Sequence, residues 1–361
     1  MRFFISALCA ALAIELLAGC SGSSAGSLSL PATAGAPAQL APLSAALPLM
    51  PPAGVRRLQL ETRFVRGATT AGIYASNFDA YEMWGYANPN KSNGKPVCTL
   101  GSERSPLTSV NGFGTDPKGN VMVPWLLHYS SSQNLGEISV YKPNCGARLW
   151  EASDNNGQPG DAYSSNAATG KVVVAETQLW TTHTGALTIC SYSAGCGKAF
   201  SNKAVIGIGE GVAVAANGDC WLSASTSKSG GFVLVYFKGC AGSGKVATGA
   251  EAQGAGGLFI DTMGRLGTID QYGMLDVYKG CNPACTLVKS STLEGQPIDG
   301  GLNAKGNQLA VGDYATNSVD VYNYSATTGV ATYSYSFDNG LTSGSKNAVE
   351  SGLFAPRNSK L

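Results

Sequence analysis

Five glycines at a nearly even spacing constrain this chain more than any other feature. They stand at positions 119, 170, 218, 264 and 306, in steps of 51, 48, 46 and 42 residues. Three of them close closely similar strings: GFGTDPKG at 112–119, GVAVAANG at 211–218 and GLFIDTMG at 257–264. AYSSNAATG, ending at Gly170, is a looser copy, and Gly306 closes a shortened one. Each string reads as an apolar strand opening on Gly and ending in a tight turn, where glycine adopts positive φ without steric cost. A second landmark travels with the first. Alternating strands end at Tyr141 (ISVY), Tyr236 (FVLVY), Tyr278 (LDVY) and Tyr322 (VDVY), with LTIC ending at Cys190 in the corresponding place. Residues 306–336, GNQLAVGDYATNSVDVYNYSATTGVATYSYS, show the unit most clearly: three strands separated by Gly-, Asn-, Ser- and Thr-rich turns. A meander this small cannot bury its own faces and needs neighbours like itself.

Four-stranded units repeating every 42 to 51 residues are the signature of an all-β fold, the β-propeller. The five copies account for residues from about 110 to 340, and GIYASNFDAYEMWGY (72–86) followed by PVCTLG (96–101) supplies a sixth. That sixth copy lacks a clear first strand. SGLFAPRN at 351–358 resembles GLFIDTMG and can complete it, closing the series without an exposed edge. Six blades are expected; seven is the alternative, if RRLQLETRFVRG (56–67) builds a further one. Charged residues make up only 13% of the chain, against 47 glycines and 15 tyrosines, which suits short strands and turns rather than amphipathic helices. The 24 basic and 23 acidic residues nearly balance, so no basic field is available to attract nucleic acid.

The N-terminus reads as an export signal. Arg2 precedes the apolar segment FFISALCAALAIELL, which is too short to remain as a membrane span. It ends in Leu17-Ala18-Gly19-Cys20, which resembles the bacterial lipobox, cut just before the cysteine. The resemblance implies a signal peptide over 1–19 and a lipidated Cys20. Ser21 rather than Asp after the cysteine implies the outer membrane, facing the periplasm or the cell surface. Residues 21–52 carry no charge and are rich in Ser, Ala, Gly and Pro, so 20–55 is expected to be a flexible tether and 56–361 the propeller domain.

Cysteine usage fits export. Cys190 and Cys196, and Cys281 and Cys285, fall at the same turn between third and fourth strands, which favours a local disulfide in each. Cys220 and Cys240 can form a third. Cys98 and Cys145 each start a fourth strand and have no evident partner, so they are expected to be free. A zinc reading of these cysteines finds no histidine nearby. The repeat region as a whole resembles the six-bladed propellers of the NHL-repeat and SMP-30/gluconolactonase type, through the pattern of Gly, four apolar or small residues, turn and Gly.

Catalytic constellations are thin. His128 and His183 fall in loops, and neither a nucleophile elbow nor a helical zinc motif occurs. In SMP-30-type enzymes, carboxylates and an Asn just before the first-strand Gly bind a divalent cation at the channel mouth. Asn111, Asp161, Glu210 and Asp299 stand at or near that place here, and oxygen ligands from separate blades would suit Ca²⁺. Polar residues lining a solvated mouth explain the same pattern without a metal. The expected function is therefore a lipid-anchored, monomeric, non-catalytic binding module without a cofactor, whose partner is a protein, glycan or small molecule. The alternative is a metal-dependent hydrolase of lactonase type.

Overall fold

The computed structural model describes residues 71–355, except 78–81, 88–94, 102–111, 117, 127–135, 155–157, 167–170, 179–183, 192–194, 203–206, 227–231, 252–253, 255, 342–348 and 350. Several strand residues, Asp161 among them, are described by their backbone alone. All fall in one compact unit, Arg57–Leu361. The segment 56–67, and with it the seven-blade alternative, lies outside the described residues.

The described chain is all-β, its helical content a three-residue 3-10 turn at Lys238–Cys240. It opens with β1 (Ile73–Asn77), β2 (Glu82–Tyr86) and β3 (Cys98–Leu100). Four antiparallel sheets follow in chain order. The first holds β4 (Gly114–Thr115), β5 (Val121–Leu126), β6 (Gly136–Tyr141) and β7 (Arg148–Asp154). The next holds β8 (Gln158–Asn166), β9 (Lys171–Gln178), β10 (Thr184–Ser191) and β11 (Gly195–Cys196). Then come β12 (Gly207–Val214), β13 (Cys220–Thr226), β14 (Phe232–Phe237) and β15 (Lys245–Val246). The fourth is β16 (Leu258–Ile260), β17 (Leu266–Asp270), β18 (Met274–Lys279) and β19 (Thr286–Thr292). The chain ends with β20 (Pro297–Leu302), β21 (Gln308–Asp313), β22 (Ser318–Ser325), β23 (Val330–Phe337) and β24 (Ser351–Phe354).

The C-terminal strand expected to complete the first unit does so. β24 pairs antiparallel with β1, Ile73 opposite Phe354 and Ala75 opposite Gly352. It also pairs parallel with β20, Asp299 opposite Ser351, which joins the last and first units into one eight-stranded sheet. The leading strands touch in the order β4, β8, β12, β16, β20, β24 and back to β4.

The repeated glycine turns have one hydrogen-bond pattern. In three of them the turn's first residue donates to the carbonyl four positions on, and the Gly amide donates back to that first residue: Asp116 with Gly119, Ala215 with Gly218, Asp261 with Gly264. The Asn303–Gly306 turn is one residue longer. All four glycines have φ between 67° and 86°. The Asp116 carboxylate accepts from the amides of Lys118 and Asn120, and Asp261 accepts from those of Met263 and Arg265, so turn donors are satisfied locally. Buried third-strand tyrosines pack between sheets as the alternation predicts: Tyr236 and Tyr278 share one apolar layer, and Tyr322 sits in the next.

Four disulfides are present among the described residues. Cys190–Cys196, Cys281–Cys285 and Cys220–Cys240 match the sequence reading. Cys98 and Cys145, expected to be free, are instead bonded to each other, with Cα atoms 5.9 Å apart. The pairing escaped the sequence because the partners are 47 residues apart and belong to different sheets.

Where leading strands meet, side chains give way to backbone. A Cβ on Gly257 would lie 2.8 Å from the Cα of Asp299 and overlap its carboxylate, and one on Gly211 would overlap the Gly256 carbonyl. Gly257→Ala is therefore expected to lower stability by about 1–3 kcal/mol or more through overpacking. Gly72→Ala, whose nearest contact is 3.4 Å away, should stay within a few tenths. Urea unfolding midpoints of the two variants check the contrast.

Candidate functional site

Antiparallel meanders sort their connections into two ends. Turns between first and second strands, and between third and fourth, lie at one end. Turns between second and third strands lie at the other, with the segments leading into each sheet. Asp161, Glu210 and Asp299 belong to that second end, and each sits at an irregularity of a leading strand. The register shifts between Pro159 and Asp161 in β8, between Gly209 and Gly211 in β12, and between Pro297 and Gly300 in β20. Bulges of this kind break pairing locally and re-aim a side chain.

The fourth sequence candidate, Asn111, lies outside the described residues, as do His128 and His183. Asp299 is 5% exposed, and its carboxylate accepts a 2.6 Å hydrogen bond from the Ser351 hydroxyl. The Ser351 amide donates in turn to the Ser76 hydroxyl at 3.0 Å. Asp299 thus helps seat β24. Glu210 is partly buried on its bulge. Among the described residues, the three ligand atoms lying within 4.8 Å of one another belong to Asp154, Cys190 and Cys196, and both sulfurs are committed to a disulfide. The side chain of Asp161, like Asn111, lies outside the described residues.

At the same end, in the last sheet, the structure offers a feature that the sequence reading passed over. A cleft of about 470 Å³ is lined by Glu294, Asp313, Asp320 and Asp338 with Ser318 and Tyr333. Two of these carboxylates, Asp313 and Asp320, have a structural reason to be there. Asp313 ends β21 and accepts from the amides of Gln296 (2.8 Å) and Ala315 (2.9 Å) and from the Thr316 hydroxyl (2.6 Å). It ties the turn to the segment leading into the sheet. Asp270 does the same one sheet earlier, accepting from Gly254 and Tyr272. Asp320 lies on β22 two residues before Tyr322, as Asp276 lies two before Tyr278. In both sheets the tyrosine hydroxyl points at that carboxylate and accepts from a lead-in amide, Glu294 or Glu251. A charged residue repeated inside an otherwise apolar strand was the available signal.

The two sheets differ in burial. Asp276 is partly exposed, whereas Asp320 is 3% exposed. Burial pushes the Asp320 carboxyl up to about 6, and the nearby Asp313 and Glu294 charges add to the rise. Hydrogen bonds from Ser318 (3.1 Å) and Tyr322 (3.4 Å) oppose it without cancelling it. The cleft presents several carboxyl and hydroxyl groups beside Tyr333, whose side chain is half exposed. That chemistry suits a ligand rich in hydrogen-bond donors.

No protein-family model matches the chain, and no curated protein sequence does. The backbone is similar to the β-propeller in the crystal structure of a nidogen/laminin complex, with a TM-score of 0.57 and 12% identity over 80% of this chain and 99% of that one. A Bacteroides uniformis protein with a provisional 6-phosphogluconolactonase name gives a TM-score of 0.48 at 9% identity, covering 80% of this chain and all of that one. The Dos1 propeller gives 0.46 at 11%, over 78% and 70% of the two chains. At 12% identity the nidogen likeness establishes the architecture alone, an all-β propeller.

The Asp320 environment has a pH signature. Its folded-state pKa is raised above the unfolded value, so the stability it contributes is full below about pH 4 and is lost as pH rises through about 6. Asp320→Asn should flatten that part of the stability–pH profile and raise the melting temperature at pH 8 relative to the parent. Melts at half-unit pH steps check it; parallel profiles for the two proteins would contradict it.

Proposed function

We propose that the chain is an exported lipoprotein anchored through Cys20 to the outer membrane. Its six-bladed propeller acts as a monomeric, non-catalytic binding module, held off the lipid by the 20–55 tether. The lipobox-like LAGC ending at Cys20 and the four disulfides support export. No helix among the described residues is long and apolar enough to cross a membrane. Six leading strands in cyclic contact, with the C-terminal strand completing the first unit, support the blade count.

The observation that carries the binding reading is the acidic cleft of the last sheet. Its occupant would bring ammonium, guanidinium or clustered hydroxyl donors, with Tyr333 available to stack on an apolar or cationic surface. Titration calorimetry with a Lys/Arg-rich peptide and with a neutral oligosaccharide separates the two donor classes. Asp338→Asn and Tyr333→Ala should each weaken the bound one about tenfold, the order of one lost charge-assisted bond. Unchanged affinity in both variants would remove the cleft from the function.

A second reading, metal-dependent hydrolysis of lactonase type, is favoured by the strand irregularities at Asp161, Glu210 and Asp299. It requires a melting temperature that rises with free Ca²⁺, falls with chelator and loses that response in Glu210→Gln. The binding module shows no such dependence. For the anchor, Cys20→Ala should release the protein from membrane fractions. A variant still processed and equally membrane-bound would exclude lipidation at that residue.

A further inference from the structure

The unforeseen disulfide stands where the two ends of the described chain meet. We propose that Cys98–Cys145 is a redox latch on the composite unit formed by β24 and β1–β3. Oxidised, it holds that unit against the β4–β7 sheet. Reduced, it lets the unit detach while the later sheets stay folded.

The composite unit is assembled from short strands drawn from both ends of the described chain. β3 has three residues and β24 four, and the pairings that hold β24 span three residue pairs to β1 and two to β20. Its segments are distant in sequence, so detaching it leaves the covalent run of the other sheets intact.

Besides the Thr115 hydroxyl, which donates to the Phe354 carbonyl at 2.8 Å, and the apolar layer around Trp125, its docking to the next sheet runs through the turn at 142–147. There the Ala71 amide donates to Asn144 Oδ1 at 2.9 Å, and the Cys145 amide donates to the Tyr74 hydroxyl at 3.1 Å. Asn144 and Cys145 both sit in the left-handed region, with φ of 61° and 50°. Two successive non-glycine residues in that sparsely populated conformation persist only where the surroundings over-determine them. The docked unit supplies those surroundings, so undocking relaxes the turn and the element has two states. Gly85 makes room for the bond: a Cβ there would lie 2.8 Å from Cys98 Sγ and 3.1 Å from the Tyr74 ring.

Among the described residues, the other three disulfides each close within one sheet, whereas Cys98–Cys145 ties two sheets together. Cys145 is 6% exposed, but Cys98 is partly exposed on the outer strand and within reach of solvent reductant. In the reducing step a dithiol gives two electrons and two protons to the bond. It leaves two thiols on the protein and becomes a disulfide itself. A chain in a thiol-rich compartment then stays open at this unit and closes on oxidation, whatever ligand the propeller takes.

Hydrogen exchange followed by mass spectrometry on the whole protein tests this, comparing the oxidised form, the form treated with dithiothreitol, and Cys98→Ser/Cys145→Ser. Amides in 71–77, 82–87, 97–101 and 351–355 should exchange about ten- to a hundredfold faster in the last two, below the ceiling set by closure entropy for a loop this long. Those in 258–292, the β16–β19 sheet, which has no pairing with the composite unit, should keep their rates. Cys190→Ser/Cys196→Ser should leave all these segments at parental rates, which separates the latch from the other bonds opened by dithiothreitol. Uniform acceleration across every sheet, or unchanged rates in the composite unit, would overturn the proposal. If the Cys98→Ser/Cys145→Ser protein does not fold, reduction of the folded parent gives the same reading.

Discussion

Among the described residues, the sheets bury apolar side chains on both faces, and the rest of the structure follows from that. In the β16–β19 sheet, Leu258, Ile260, Leu266 and Tyr278 face the preceding sheet, while Phe259, Ile269, Leu275 and Val277 face the following one. In β1, Tyr74 packs toward Phe113 and Trp125, whereas Ile73 and Ala75 pack toward Val319 and Val321. Strict alternation along a strand therefore places apolar residues on two sides rather than one. A linear row of such sheets would leave an uncovered apolar face at each end. Using β24 to join the first unit to the last removes both.

That logic explains which features were legible in the chain. The glycine turns repeat because each has the same backbone hydrogen bonds to satisfy, and the third-strand tyrosines repeat because each fills the same layer. Short-range disulfides were legible for a similar reason: Cys190 with Cys196 and Cys281 with Cys285 recur at one turn. Cys98 with Cys145 was not, because nothing local relates a strand start in one sheet to a turn in the next. The acidic cleft was hidden differently. Asp313 looks like turn chemistry and Asp320 like the polar position of an alternating strand, and each does hold that role. Only the fold brings them beside Glu294 and Asp338.

With so few charged residues in the sequence, most buried carboxylates are spent on the backbone. Asp116, Asp261, Asp270 and Asp313 accept from main-chain amides that no strand partner reaches. Asp261 has a further role between sheets, accepting from Arg265 Nε at 2.7 Å and from the Tyr324 hydroxyl at 2.8 Å. Asp320 departs from this use. Its described partners are a serine and a tyrosine hydroxyl, and two other acidic groups raise the cost of its charge. Burial, with those charges, pushes its carboxyl up to about 6.

The pairing of Ile73 with Phe354 also sets a timetable. β1 leaves the ribosome first among the described strands and β24 last, so β1 must wait for nearly the whole chain before it gains its inner neighbour. Until then its edge and the apolar side chains beside it stay open to chance partners, and closure is limited by the slow search that such long-range contacts impose. A chain built this way keeps its first unit incomplete until the final segment has arrived, however early the intervening sheets form.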